Sequence, residues 1–300
     1  MRSAVRIGSF TPGSPEWIAA RGSRLGGSEV AAVIGLSPYE SRFSLWHKKK
    51  GLIPPTSDNE PMRWGRILES PIATVFAEQH PDARVRRTGS WVNRARPWQL
   101  ATPDRLVSLP DERVLLEIKT AHDTTGWGEP GTDDIPVYYR AQVLWQLDTL
   151  GLSRAFVAVL IGGSEYREYL VSYAADEVEL LRAAAREFLD SLDRGERPNL
   201  DEHAVTYRAV RELHPQIDDV EVEIDPALAE RYRAAVAEHK AAESTKQRAT
   251  VELLDVLGRA RRAVVDGESI AIRVPGRGAA PPSLRPSPIR STPQKVSAAA

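Results

Sequence analysis

Three residues near the middle of the chain have the types and spacing for metal-assisted chemistry: Asp104, Glu117 and Lys119, in ATPDRLVSLPDERVLLEIKT. Residues two apart on a strand share a face, so Glu117 and Lys119 point one way and Ile118 points into the other layer. An adjoining antiparallel strand would bring Asp104 alongside. Phosphodiester hydrolysis needs such a set. Carboxylates hold Mg²⁺, which prefers oxygen ligands and keeps several waters. The metal lowers the pKa of a bound water and stabilises developing charge. A lysine whose own pKa is lowered by its surroundings can orient that water or help deprotonate it. The same three charges also fit a solvent-facing hairpin, and the neighbouring segments have to decide.

Two polar residues extend the set. Glu69 lies in the helix before these strands, where a third carboxylate would reach the metal directly or through water; it reads equally as a surface charge. Gln142 opens the helix after the ExK strand, with Tyr139 one turn earlier. It suits a neutral hydrogen bond to a scissile phosphate or a metal-bound water, or an ordinary structural bond. The loop AHDTTGWGEPGTDDIPV places Trp127 among glycines, as a platform that stacks on bases or as a buried anchor.

These residues need a scaffold. PEWIAARGSRLGGSEVAAVIG predicts a helix, a Gly-rich bend and a second helix capped by Ser28. SLWHKKKG is a short amphipathic helix stopped by Gly51. WGRILESPIATVFAEQH carries an apolar stripe of Ile67, Leu68, Ile72, Val75 and Phe76, with Pro71 as a kink or a fresh start. ARVRRTGSWV, WQLATPDRLV and RVLLEIKTA read as three strands of an antiparallel meander. VYYRAQVLWQLDTLG is a helix with Val143, Leu144, Leu147 and Leu150 inward. RAFVAVLIGG reads as a strand buried on both faces, EYREYLVSY as its partner, and DEVELLRAAAREFLDSL as a long amphipathic helix. That order predicts an α+β fold, a mixed α/β core whose central mixed sheet is flanked by helices.

GERPNLDEH marks a domain edge, giving three parts: 1–200, 201–274 and 275–300. The second holds a helix starting at Asp225 and Pro226 and running to Gly258, then a hairpin turning at Asp266-Gly267. The helix's heptad seam is too polar for a coiled coil, so it should pack at one end. The third, with Arg277, Arg285, Arg290 and Lys295 and no acid, reads as a disordered, basic, Pro-rich tail.

Composition narrows the function classes. Hydrophobic residues at 42% and charged residues at 27% are ordinary for a soluble globular protein. No run of about 18 apolar residues exists and MRSAVRIGSF lacks an apolar signal core, so a cytoplasmic location without membrane contact is expected. Zero cysteines exclude disulfides, thiolate catalysis and Cys-ligated zinc. A net charge of −1 argues against a purely electrostatic nucleic-acid coat. A local basic groove beside acidic ligands remains compatible with it, and HKKK (47–50) and Arg84, Arg86, Arg87, Arg94 and Arg96 are basic clusters, usually solvated faces.

Taken together, W17-x₃-R21-x₆-S28-E29, W64-G-x₃-E69, T102-P-D104, L116-E-I-K119 and Y139-x-A-Q142 resemble the lambda-exonuclease/YqaJ-like viral recombinase family, a branch of the PD-(D/E)xK nucleases, over residues 15 to 175. One departure is Gly22-Ser23 directly after Arg21. The resemblance implies a restriction-endonuclease-like core with Asp104, Glu117 and the Ile118 backbone carbonyl on the metal. It further implies Lys119 on the water and Arg21 and Ser28 on a 5′-phosphate. Arginine bonds phosphate bidentately, and a serine at a helix N-terminus joins N–H groups that favour an anion. By the same resemblance the chain would be a Mg²⁺-dependent 5′→3′ exonuclease on double-stranded DNA, with Mn²⁺ able to substitute. It would feed single-strand-annealing recombination with a phage annealing protein as partner, and a trimeric ring would explain processivity. The alternatives are an endonuclease or RecB-type nuclease on the same core, and a non-catalytic DNA-binding protein on this fold.

Overall fold

The computed structural model describes residues 3–287. The chain divides into two compact units, Met1–Ile217 and Asp218–Ala300. The first runs β1 (Ala4–Gly8), α1 (Pro15–Gly22), β2 (Leu25–Gly26), α2 (Gly27–Val33), α3 (Arg42–Lys49) and α4 (Glu60–Gln79). It continues with β3 (Arg84–Arg87), β4 (Ser90–Asn93), β5 (Gln99–Ala101), β6 (Arg105–Ser108), β7 (Arg113–Ala121) and α5 (Val137–Leu150). β8 (Arg154–Ile161), β9 (Glu165–Ser172), α6 (Ala175–Arg194) and α7 (Ala204–Leu213) complete it.

The central sheet has the order β3-β6-β7-β8-β9. β7 and β8 are parallel, because α5 carries the chain across between them, and the other pairs are antiparallel. The predicted mixed sheet flanked by helices is what forms. Side-chain alternation along β7 sorts its residues between two cores. Val114, Leu116 and Ile118 pack with Ile72 and Phe76 of α4. Leu115 packs on the other side with Leu144 and Leu147 of α5. Glu117 and Lys119 share the parity of Leu115, so they face α5, as their spacing predicts.

The meander is not one sheet. Residues 84–93 break at Gly89, and β4 leaves to pair with β1 and β5 in a four-stranded sheet of order β1-β4-β5-β2. WQLATPDRLV divides in the same way: β5 belongs to the small sheet and β6 to the central one, with Thr102, Pro103 and Asp104 as the crossing. Pro103 has no N–H for a ladder, which favours a crossing there over one long strand. Asp104 therefore sits just before β6 and not within a strand. Three elements of the first unit have no counterpart in the sequence reading: β1, the two-residue β2, and α7. α7 packs on α3 through Ala209 and Phe43, so residues 201–213 belong with the first unit and not with the C-terminal module. Pro71 neither starts nor ends a helix, since α4 is continuous through it.

In the second unit α8 (Pro226–Leu257) starts as its capping sequence predicts, with Asp225 accepting from the Ala227 and Leu228 N–H groups at 2.8 and 3.1 Å. β10 (Arg262–Val265) and β11 (Glu268–Val274) form the expected hairpin, with Asp266 and Gly267 at φ 50 and 82. A third strand, β12 (Ser283–Pro286), pairs with β11. Part of the predicted tail is thus ordered; its residues 288–300 lie outside the described ones.

Candidate active site

The end of β7 gathers the predicted chemistry. Glu117 is 2% exposed, and its Oε1 accepts from Lys119 Nζ at 2.7 Å and from the Gln142 amide on α5. Lys119 Nζ also donates to Gln142 Oε1 at 3.0 Å and lies 4.6 Å from the Tyr139 ring centre. Glu117 Oε2 is buried with no protein partner, which is costly for a carboxylate oxygen. On the other side of the β7 backbone, Asp104 Oδ2 accepts the Ile118 N–H at 2.7 Å. β6 ends its pairing at Arg105–Leu116, so Ile118 lies just past that ladder. A residue's N–H and C=O leave a strand on the same side, so the Ile118 carbonyl faces the Asp104 side. Burial first, and the Glu117 charge second, push the Asp104 carboxyl well above the usual range; Lys119 and the Ile118 N–H oppose this, and Glu69 adds to the rise. Two mutually repelling carboxylates, one with an orphaned oxygen, beside a backbone carbonyl, form a donor set that fits a divalent cation.

Glu69 reaches this edge from α4 but is engaged: it accepts from Arg105, whose side chain is 5% exposed and which also donates to the Asp104 carbonyl at 2.7 Å. Among the described residues no group of three or more His, Asp or Glu forms a ready-made metal cluster. Glu69 is thus held by an arginine beside the two-carboxylate site. It is not the free surface charge that was its other reading.

A second polar edge adjoins this one. Arg21, at the end of α1, lies 4.6 Å from the Trp17 ring centre, donates to Ser28 Oγ at 3.3 Å and pairs with Glu29 at 3.2 Å. Ser28 does not cap α2. Gly26 is the N-cap and Ser28 the second helical residue, while Glu29 Oε2 takes the Gly26 N–H at 2.7 Å in the manner of a capping box. Ser28's hydroxyl is therefore left exposed beside Arg21. Gly27 joins the two edges, because a Cβ there would stand 3.1 Å from the Gln142 carbonyl oxygen and 3.2 Å from its Cγ.

Trp127 is not an exposed platform. It is 7% exposed and packs on Tyr139 and Tyr169, with ring centres 5.8 and 5.2 Å apart. The loop's glycines fold it inward, so the anchor reading holds. Tyr139 is half-buried between Trp127, Tyr138 and Lys119. The sequence reading gave no role to Arg105, Glu29 or Lys49. The signal for Lys49 was present: it falls on the helical stripe of Leu45 and Trp46, inside a run taken as a solvated basic face.

This geometry can be set beside known proteins. Residues 16–153 match the YqaJ-like viral recombinase domain. All five sequence blocks, from Trp17 to Gln142, lie within that match. The YqaJ protein of Bacillus subtilis (strain 168) is 28% identical over 225 residues, 73% of this chain and 68% of its own length. Among solved structures, an alkaline exonuclease from Laribacter hongkongensis aligns at TM-score 0.49 and 18% identity, over 66% of this chain and 99% of its own. A phage-related exonuclease from Haemophilus somnus 129PT aligns at 0.43 and 10%, over 57% and 96%. The residues matched by that domain, 16–153, contain both polar edges together with α5.

Proposed function

We propose that the YqaJ-like domain is a divalent-metal-dependent deoxyribonuclease that degrades one strand of double-stranded DNA 5′→3′ from a 5′-phosphorylated end. The observation that carries this reading is Lys119 bonded to both Glu117 and Gln142, with the orphaned Glu117 Oε2 facing no protein donor. Asp104, Glu117 and the Ile118 carbonyl would hold Mg²⁺, or Mn²⁺ in its place. A metal so held supplies a water of lowered pKa and positive charge against the scissile phosphate. Lys119, braced by Glu117 and Gln142, would hold and orient that water. Gln142 presents an amide from the rigid α5, and Arg105 keeps Glu69 and the Asp104 backbone in register. Arg21 and Ser28 supply a guanidinium and a hydroxyl for the terminal phosphate, which favours end recognition over internal cutting. The 3′ single strand left behind suits an annealing protein as partner, and a ring of copies would keep the enzyme on its substrate.

A duplex labelled on each strand in turn tests this, with 5′-phosphate or 5′-hydroxyl ends and Mg²⁺ or Mn²⁺ titrated. Mononucleotides released from the 5′-phosphorylated strand are expected. Cutting of covalently closed circles would move the reading to an endonuclease. No cleavage with either metal at enzyme excess would leave a DNA-binding protein only. Light scattering of the native chain checks the ring.

A further inference from the structure

The basic run at the end of α3 resolves into three different roles. Lys48 pairs with Glu40 at 2.5 Å and Lys50 donates to the Leu192 carbonyl at 3.3 Å. Lys49 points inward, its side chain 6% exposed. An ammonium has three N–H donors, and all three are used: the Arg21 carbonyl at 2.9 Å, the Arg24 carbonyl at 2.6 Å and Glu29 Oε1 at 2.9 Å. One buried lysine thus ties the backbone at both ends of the turn between α1 and β2 to the first turn of α2. Glu29 is shared, since its Oε2 meets Arg21 at 3.2 Å and the Gly26 N–H at 2.7 Å.

The charge count at this edge is informative. Arg21 and Glu29 alone are a neutral pair and would attract an anion weakly. With Lys49 the group holds two cations and one anion, leaving one net positive charge. Of the two cations only Arg21 reaches toward Ser28 and solvent. Burial works to raise the Glu29 carboxyl, yet Arg21, Lys49 and the Gly26 N–H together hold it below its ordinary value. Glu29 is therefore ionised and needs Lys49 as its counter-charge.

We infer that Lys49 is the positioning residue of the phosphate edge: it neutralises Glu29 and fixes the Arg21 backbone, so that Arg21 is free to take a terminal phosphate monoester. This rests on the reading of Arg21 and Ser28 as the 5′-phosphate edge. The ligand class follows from charge, because a phosphate monoester carries about −1.5 to −2 at neutral pH whereas a phosphodiester within the strand carries one charge. Without Lys49, Glu29 keeps Arg21 for itself.

The test is equilibrium binding of 5′-phosphorylated and 5′-hydroxyl duplexes by fluorescence anisotropy in chelator, where no strand is cut. Wild type should prefer the phosphorylated end by about tenfold or more, the scale of one charge-assisted contact. Lys49→Gln, which keeps a donor for the carbonyls but not the charge, and Lys49→Met should both bring the two affinities within about twofold. Glu29→Gln/Lys49→Met restores one net positive charge through Arg21 and should regain most of the preference. A merely structural lysine would behave otherwise, with affinity for both ends lost together and no recovery in the double variant; that result overturns the inference. Should Lys49→Met not fold, Lys49→Gln and the double variant decide. If wild type prefers phosphate and Arg21→Ala loses the preference while Lys49→Gln keeps it, the inference falls and the phosphate edge stands. If wild type shows no preference, both fall.

Discussion

Replacing Lys119 with alanine should cost both activity and stability, and metal should tell the two apart. In the folded protein Glu117 has two donors, both on one oxygen: Oε1 takes Lys119 and Gln142, and Oε2 takes none. Lys119→Ala leaves a carboxylate whose side chain is 3% exposed with one neutral amide. Removing one partner of a buried ion pair costs about 3–5 kcal/mol. The lysine is 15% exposed and water can enter, which places the cost near the lower end, about 3 kcal/mol. At about 2–4 °C per kcal/mol for a domain of this size, Tm should fall by about 6–12 °C in chelator. Glu117→Gln/Lys119→Ala should recover most of that loss, because no unpaired carboxylate remains at position 117. Adding Mg²⁺ should raise Tm of Lys119→Ala, whose two carboxylates are intact, and leave the double variant unmoved. Single-turnover cleavage of a 5′-phosphorylated duplex should drop by about 10²–10⁴-fold, the range for losing a positioned proton-transfer group. Differential scanning fluorimetry and quenched-flow assays on one preparation give both numbers. Wild-type turnover in Lys119→Ala, or a double variant less stable than the single, would refute the reasoning.

Other perturbations have equally definite outcomes. The Asp104 carboxyl is raised in the fold, so it favours folding when protonated; that contribution is present in acid and is lost as pH rises through the raised value. In chelator Tm of wild type should decline above the ordinary carboxylate range, and Asp104→Asn should flatten the decline while abolishing the Mg²⁺ response. Arg21→Ala should equalise degradation of 5′-phosphorylated and 5′-hydroxyl duplexes; a preserved ratio in steady-state kcat/KM would remove Arg21 from that role. Gly27→Ala pushes against the Gln142 backbone and should cost about 1–3 kcal/mol by overpacking, with cleavage reduced as the two edges separate; unchanged Tm and rate would mean the contact is soft. Truncation before residue 275 removes β12 and leaves β11 an open edge, so the C-terminal unit should lose protection in hydrogen exchange. Truncation after Ser287 keeps that protection, and loss of it there would contradict the three-stranded arrangement.

Much of the frame is legible from pattern alone. α5 is placed by its apolar stripe and ended by Gly151, which adopts φ 67. α8 is bounded by Asp225, Pro226 and Gly258, and the last hairpin by Asp266-Gly267. These are local signals, each decided within a few residues. Segments whose fate depends on distant partners were not legible. β2 is two residues long and exists because Leu25 and Gly26 find Gln99 and Leu100. The apparent meander is divided between two sheets because β4 pairs with β1 and β5, and β5 with β2, rather than with β6. α7 carries its own stripe of Thr206, Ala209, Val210 and Leu213, but only the α3 surface it covers assigns it to the first unit.

The site shows the same division. Period-two alternation by itself put Glu117 and Lys119 on one face and Ile118 on the other, because side-chain direction in a strand is a covalent property of the backbone. Residue type and spacing also singled out Asp104, Glu69 and Gln142, and the family resemblance added Arg21 and Ser28. Only the tertiary structure decided how they combine. It brought Gln142 onto Lys119, gave Glu69 to Arg105, buried Trp127 against Tyr169 and turned Lys49 inward beneath Arg21. Charge and polarity are properties of a residue. Burial and partnership depend on which segments meet, and pairing with distant chain is what converts a lysine in a basic run into a buried counter-ion.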